Sequence, residues 1–404
     1  MSSVLTTVMD GNLLMLRMML QTPQALEQKD LNHSIIYSAK HGLLQCASYL
    51  VDAGVDVECE DASGNQPLHH SVAANQVEMT KFLLEANANP NVIGLSRCYP
   101  LHIASKGNMT ECMEHLVEHK AKLDARDSAG QTPLIVATRE RCFCAVKFLL
   151  ARGCNIDCQD KSGRTALHYA SQNGSGVDIL LAAGANTNMC DVNNCTPLLL
   201  ASTEGFSHVV KLLCHANCNP NIANHSVNKT PLHILSFKGH SDCINDLLLA
   251  GADVNFLDSE FRTPLWYAVS NWRLEVVKML LKANSQVDTY QCHNDIPEDA
   301  CPVRLAITKG NSAVLKMFIV SGFDTCHLRE NMHSTSDLPV DLVTELCIWL
   351  HNAHQAMTLK QLCRRWIRHH QGIQLFRDLS LMPIPQGLRD FLLLKELDDI
   401  HPKQ

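Results

Sequence analysis

Apolar and polar positions along this chain follow two rhythms. The short rhythm is helical: in TPLLLASTEGFSHVVKLL (Thr196 to Leu213), apolar residues cluster on one side of a single glycine and then return as Val209, Val210, Leu212 and Leu213. That spacing predicts two short helices joined at Gly205. The long rhythm is the recurrence of the whole pattern. Pro67-Leu68, Pro100-Leu101, Pro133-Leu134, Ala166-Leu167, Pro197-Leu198, Pro231-Leu232 and Pro264-Leu265 lie 33, 33, 33, 31, 34 and 33 residues apart. A period of this size marks stacked helical units that share one core.

Each recurring residue type has a mechanical reason. Thr132, Thr196, Thr230 and Thr263 precede proline. A threonine cap followed by proline at the first helical position is a preferred helix start. Gly174, Gly205, Gly239 and Gly310 stand where the first helix ends and a left-handed backbone is needed. Asn75 and Asn108 stand there too, and asparagine tolerates that conformation. Asp61-x-x-Gly64, Asp127-x-x-Gly130 and Asp160-x-x-Gly163 predict a tight hairpin before the next unit.

The period, the Thr-Pro-Leu-His signature and the turn glycines together resemble the ankyrin repeat. The resemblance implies an all-α solenoid of helix-turn-helix units. His69, His102, His168 and His233 fall on the family's histidine position and are expected to bond the backbone of the neighbouring repeat. About ten units are expected in residues 1–324. His33–Gly42 forms a degenerate one, and Val4–Gly11 with Leu13–Leu20 forms a terminal one. The last unit starts its proline, Pro302, 38 residues after Pro264, and the surplus Gln291–Ala300 predicts a longer loop.

The pattern then changes. Residues 325–355 comprise a polar linker and a bridging helix, Val340–Leu350, with Leu342, Leu346 and Leu350 four apart. In residues 356–398, Thr358 and Gln361 make a capping box. Leu359, Leu362, Cys363, Trp366 and Ile367 line one helix face behind it. Met382-Pro383-Ile384-Pro385 follows as a stiff extended segment. The bland alternative is a helical cap on the array. This stretch resembles a SOCS box, with the order Thr358, Leu359, Cys363, Ile367 and then the proline pair. Met382 and Ile384 replace the leucines of the ideal Leu-Pro-Leu-Pro segment.

An ankyrin array followed by such a box is identified as a member of the ankyrin repeat and SOCS box family. That resemblance implies a non-catalytic adaptor of a ubiquitin ligase. The array captures a protein substrate, and the box docks elongin C, paired with elongin B, and a type-5 cullin carrying a RING subunit. It further implies that Leu359, Leu362, Cys363 and Ile367 contact elongin C, and that Met382, Pro383, Ile384 and Pro385 select the cullin. A passive ankyrin scaffold, or a metal- or redox-regulated protein, remains the alternative.

Composition adds constraints. A formal net charge of −7 argues against a nucleic-acid surface. No stretch has the length of a transmembrane helix, and no signal peptide is visible. Eighteen cysteines without an export signal predict free thiols in a reducing compartment, the cytoplasm ahead of the nucleus. Cys154-x-x-x-Cys158 and Cys214-His215-x-x-Cys218 have metal-like spacing, but both are placed in the loop after a second helix and supply too few ligands for zinc. No phosphate loop or nucleophile elbow is present, so neither cofactor nor catalysis by this chain is expected.

Partner specificity is expected where the repeat pattern breaks. Phe261 takes the hairpin glycine's place, Trp266 the signature histidine's, and Trp272 the helix-ending glycine's. Aromatics serve equally as interface anchors or as gap fillers beside the long insertion. Arg141 breaks the pattern at the helix-ending position of an earlier unit.

Overall fold

The computed structural model describes residues 3–21, 27–287 and 298–321. The linker, the bridging helix and the whole C-terminal box lie outside the described residues, as does Gln291–Pro297 of the insertion. Among the described residues the chain is helical, with no strand. It forms two compact units, one ending at Val192 and one beginning at Asn193.

In the first unit the helices pair in chain order. They are α1 (Val4–Met9) and α2 (Leu13–Gln21), α3 (Gln28–His41) and α4 (Leu44–Asp52), α5 (Pro67–Ala73) and α6 (Val77–Glu85). There follow α7 (Pro100–Lys106) and α8 (Thr110–Glu118), α9 (Pro133–Arg139) and α10 (Phe143–Ala151), α11 (Ala166–Asn173) and α12 (Val177–Ala182). The second unit holds α13 (Pro197–Glu204) and α14 (Ser207–His215), then α15 (Pro231–Lys238) and α16 (Ser241–Leu249). It continues with α17 (Pro264–Ser270) and α18 (Leu274–Lys282), then α19 (Pro302–Thr308) and α20 (Ser312–Val320). This makes ten helix pairs among the described residues. Within each unit first helices pack on first helices, as α5 on α7, and second helices on second helices, as α6 on α8.

The caps follow from the sequence. Thr132, Thr196 and Thr263 accept the backbone N–H of Ile135, Leu199 and Trp266. Proline at the next position loses no bond, since that N–H has no helical partner. The leucine after that position, held by alanine in α11 and by proline in the others, is buried throughout: Leu68, Leu101, Leu134, Leu167, Leu198, Leu232 and Leu265 are all at most 1% exposed. Gly174, Gly205 and Gly239 close their helices in the left-handed conformation. At the degenerate repeat the first helix is longer, because α3 begins at Gln28 with no proline to fix its start.

Three kinds of hydrogen bond tie successive repeats. The hairpin tips form one series: Lys161 N–H donates to the Ala129 carbonyl at 3.0 Å, and Ser259 N–H to Val227 at 3.2 Å. The loops after the second helices form another. The Asp157 carboxylate accepts Asn186 N–H at 3.0 Å, and the Asn255 amide oxygen accepts Gln286 N–H at 2.7 Å. The third is the signature histidine. Its Nε2 faces the next repeat's carbonyl at Cys98 for His69 (3.2 Å), Gln131 for His102 (2.9 Å) and Arg262 for His233 (3.1 Å).

The histidine does more than its position in the sequence indicated. Nδ1 of His69 and of His233 accepts the backbone N–H of the residue capping its own helix, Gln66 at 3.1 Å and Thr230 at 3.2 Å. With Nδ1 accepting, the ring must be neutral and carry its proton on Nε2, which then donates to the next repeat. Burial pushes these rings toward the neutral form. His69 and His102 are held below the ordinary value, and His233 falls to about 4, the carbonyl it serves only partly opposing the shift.

Candidate partner-binding surface

The three aromatic breaks lie around α17, and the structure separates them by role. Trp266 is half-buried. Its indole Nε1–H donates to the Asp299 carbonyl at 2.8 Å, the same kind of bond to the next repeat that the histidine makes elsewhere. The Arg262 guanidinium sits over its ring at 4.3 Å, and Tyr267 meets it edge-on at 5.1 Å. Trp266 therefore packs against the closing residues of the insertion.

Phe261 and Trp272 are different. They are 42% and 54% exposed. Both keep the left-handed backbone of the glycines they replace, with φ of 60° and 58°. A bulky residue there costs roughly 1–3 kcal/mol. Neither side chain recovers that cost by deep burial, so gap filling does not account for them. They stand beyond opposite ends of α17, whose seven residues span about 10 Å. They are two separate projections rather than one patch.

A further exposed aromatic escaped the sequence pattern. Phe237, on α15, is 50% exposed and meets the Tyr267 ring at 6.2 Å. Its place, two residues before the helix-ending glycine, is held by exposed Lys106 and Arg139 in α7 and α9. Comparison of that single column across repeats would have marked it. Arg141, also left-handed at φ 61°, donates from its guanidinium to the Asn173 carbonyl at 2.8 Å and so ties one repeat to the next.

Beneath these projections lies a polar lock that fixes the hairpins. One oxygen of Asp258 accepts the backbone N–H of Glu260 (2.8 Å) and Arg262 (2.9 Å), and the other accepts the Tyr267 hydroxyl at 2.6 Å. Burial, then the bond to Asp258, raises the Tyr267 pKa. Asp160 repeats the arrangement with Ser162, Arg164 and Tyr169, and Asp61 with Ser63, Asn65 and His70. Burial alone would raise Asp160 and Asp61, but the bonds they accept outweigh it and hold both below the ordinary carboxylate value.

Cysteine placement corrects one expectation: Cys214 is the penultimate residue of α14 and not part of the following loop. The helix α14 runs to His215, two residues past Leu213. Burial raises Cys154 to about 12, so this thiol stays protonated. Among the described residues no group of three or more His, Cys, Asp or Glu side chains converges to hold a metal. No described helix is long and apolar enough to cross a membrane. The expected docking residues Leu359, Leu362, Cys363, Ile367, Met382, Pro383, Ile384 and Pro385 lie outside the described residues.

Family models agree with this organisation. Ankyrin repeats (3 copies) match residues 6–94, 93–160, 141–224, 216–291 and 232–332, and the SOCS box matches residues 355–393. The chain is similar to the ankyrin repeat protein FPV223 of fowlpox virus, 29% identical over 28% of this chain and 99% of that one. It is also similar to Ankyrin repeat and SOCS box protein 5 of Mus musculus, 29% identical over 40% of this chain and 48% of that one. Ankyrin repeat and SOCS box protein 11 of Mus musculus is 26% identical over 41% of this chain and 49% of that one. The chain thus spans about half the length of the curated ankyrin repeat and SOCS box relatives it matches. With ten helix pairs, nearly the whole described length under the repeat model and a SOCS box behind it, the chain belongs to the ankyrin repeat and SOCS box family.

Proposed function

We propose that this chain is the substrate-recognition subunit of an elongin BC–cullin–RING ubiquitin ligase. The observation that carries the reading is the order of its parts: a repeat array with strained, exposed aromatics, followed by a SOCS box at residues 355–393. The chain itself performs no bond chemistry. It raises the effective concentration of one protein near the machinery that transfers ubiquitin. Leu359, Leu362, Cys363 and Ile367 dock elongin C, and Met382, Pro383, Ile384 and Pro385 select a type-5 cullin. Phe261 and Trp272, joined by Phe237, anchor the substrate, while Trp266 supports them from within. The cytoplasm is the compartment in which this assembly works.

The test is co-expression with elongins B and C. Wild type co-elutes with them. The double substitution Leu359→Pro/Cys363→Phe abolishes co-elution while leaving the helical circular dichroism of the array intact. A soluble wild-type chain that ignores the elongins would overturn the reading and return the protein to the class of passive scaffolds.

A further inference from the structure

The first repeat carries a surface that the later repeats bury. The third residue of the second helix is Cys46 in α4, Met79 in α6, Cys112 in α8 and Ala145 in α10, each at most 3% exposed. Cys243, Val276 and Val314 hold the same place in α16, α18 and α20 and are at most 1% exposed. Cys112 shows the cause: its Sγ reaches Asn75 Oδ1 at 3.6 Å and Thr80 Oγ1 at 3.9 Å, both in the preceding repeat. In α2 the equivalent residue is Met15, and it is 41% exposed. The sixth residue is half-buried as Tyr49, Phe82, His115 and Phe148 in the first unit, and 38% exposed as Leu212 in α14, but Met18 is 57% exposed. The second residue is polar as Gln45, Glu78 and Glu111, but in α2 it is Leu14, 74% exposed.

Terminal repeats ordinarily turn a polar face outward. Here α2 buries Leu16 inward and presents Leu14, Met15 and Met18 outward, with Arg17 as its single charge. A helix apolar on both sides is one that is covered on both sides. We propose that this face is covered by α2 of a second copy of the chain, in a two-fold dimer.

Three observations favour that occupant. What covers the equivalent face elsewhere in the first unit is the second helix of an adjoining repeat, as α4 covers α6 and α6 covers α8, and α2 is itself such a helix. The face has no acidic residue and one cation, and the Arg17 stem can carry its charge to solvent, so two copies meet without a buried charge. Methionine adapts its shape to a like neighbour. A self-complementary contact also closes at two copies, whereas a head-to-tail contact would propagate. Three side chains fall well short of the about 800 Å² per partner of a stable interface, so the dimer is weak, with a dissociation constant in the micromolar range.

The test is sedimentation of the full chain, co-purified with elongins B and C, across a concentration series. The expected result is a mass that rises from one copy to two for wild type and stays at one for Leu14→Glu/Met18→Glu and for the milder Leu14→Gln/Met18→Gln. Thermal unfolding and elongin co-elution stay unchanged in both, because these side chains project outward. In wild type, hydrogen-exchange protection of α2 rises with concentration. A monomer up to about 200 μM, a dimer that persists in both variants, growth beyond two copies, or protection independent of concentration would each overturn the proposal, the first of these leaving the face to a different protein.

Discussion

Several described residues other than glycine are held in a conformation their side chains resist, two of them aromatic. Phe261 and Trp272 occupy left-handed positions that glycine fills in other repeats, and both remain largely exposed. Replacing Trp272 with glycine should therefore stabilise the second unit by about 1 kcal/mol, the steric cost outweighing glycine's extra freedom when unfolded. Denaturant titration measures this directly. A loss of stability would mean that Trp272 packs more than its exposure indicates. The same substitution should weaken substrate capture at least tenfold, so gain of stability and loss of binding would appear together. The polar residues give the opposite expectation. His233→Ala strands the Arg262 carbonyl and the Thr230 N–H at once, and it should cost about 2–4 kcal/mol in the same titration. A cost under about 0.5 kcal/mol would show that water replaces the ring freely.

The repeat element is the level at which the sequence was most legible, because each of its parts has a local cause. Threonine caps, the proline after them, the period and the left-handed glycines are set by chain geometry alone. Two glycines, one in a hairpin and one after a second helix, illustrate what lies beyond that. Gly163 and Gly153 both have positive φ, 76° and 79°. A Cβ on Gly153 meets open space, whereas one on Gly163 comes 3.0 Å from Val192 N and 3.1 Å from Asp191 Cα. Gly163→Ala should thus destabilise by roughly 1 kcal/mol more than Gly153→Ala, beyond the backbone cost the two share, when paired melting curves are compared. Equal costs would show that the hairpins can separate without penalty. The turn motifs account for the positive φ of both glycines, but the difference in cost arises from packing against the next repeat. The aspartate lock was hidden for the same reason. Asp258 and Tyr267 are nine residues apart, and only the hairpin's fold brings the hydroxyl within 2.6 Å of the carboxylate. Trp266 was ambiguous because its partner carbonyl, Asp299, lies across an insertion that no period predicts.

For the whole molecule the repeated histidine sets a dependence on pH. His69, His102 and His233 are all held below the ordinary value of 6.5, His233 at about 4. The unfolded chain takes up protons first, so stability is full above about pH 6.5 and falls as pH drops toward about 4. Below that, the depressed carboxyls of Asp61 and Asp160 are protonated, and the stability they confer above their unfolded value is lost in turn. Urea midpoints measured between pH 7 and 4.5 should decline steadily, and a flat profile would contradict this account. The same ring has a consequence in time. In His69 and His233 the Nδ1 is satisfied by the ring's own repeat, but the Nε2 waits for a carbonyl some 29 residues downstream, as His233 waits for Arg262. A chain emerging from the ribosome meets that requirement only after the next hairpin has been synthesised. A repeat that carries this histidine is thus completed one step behind the growing end, and an array cut short just after one finishes on a ring whose proton has nowhere to go but water.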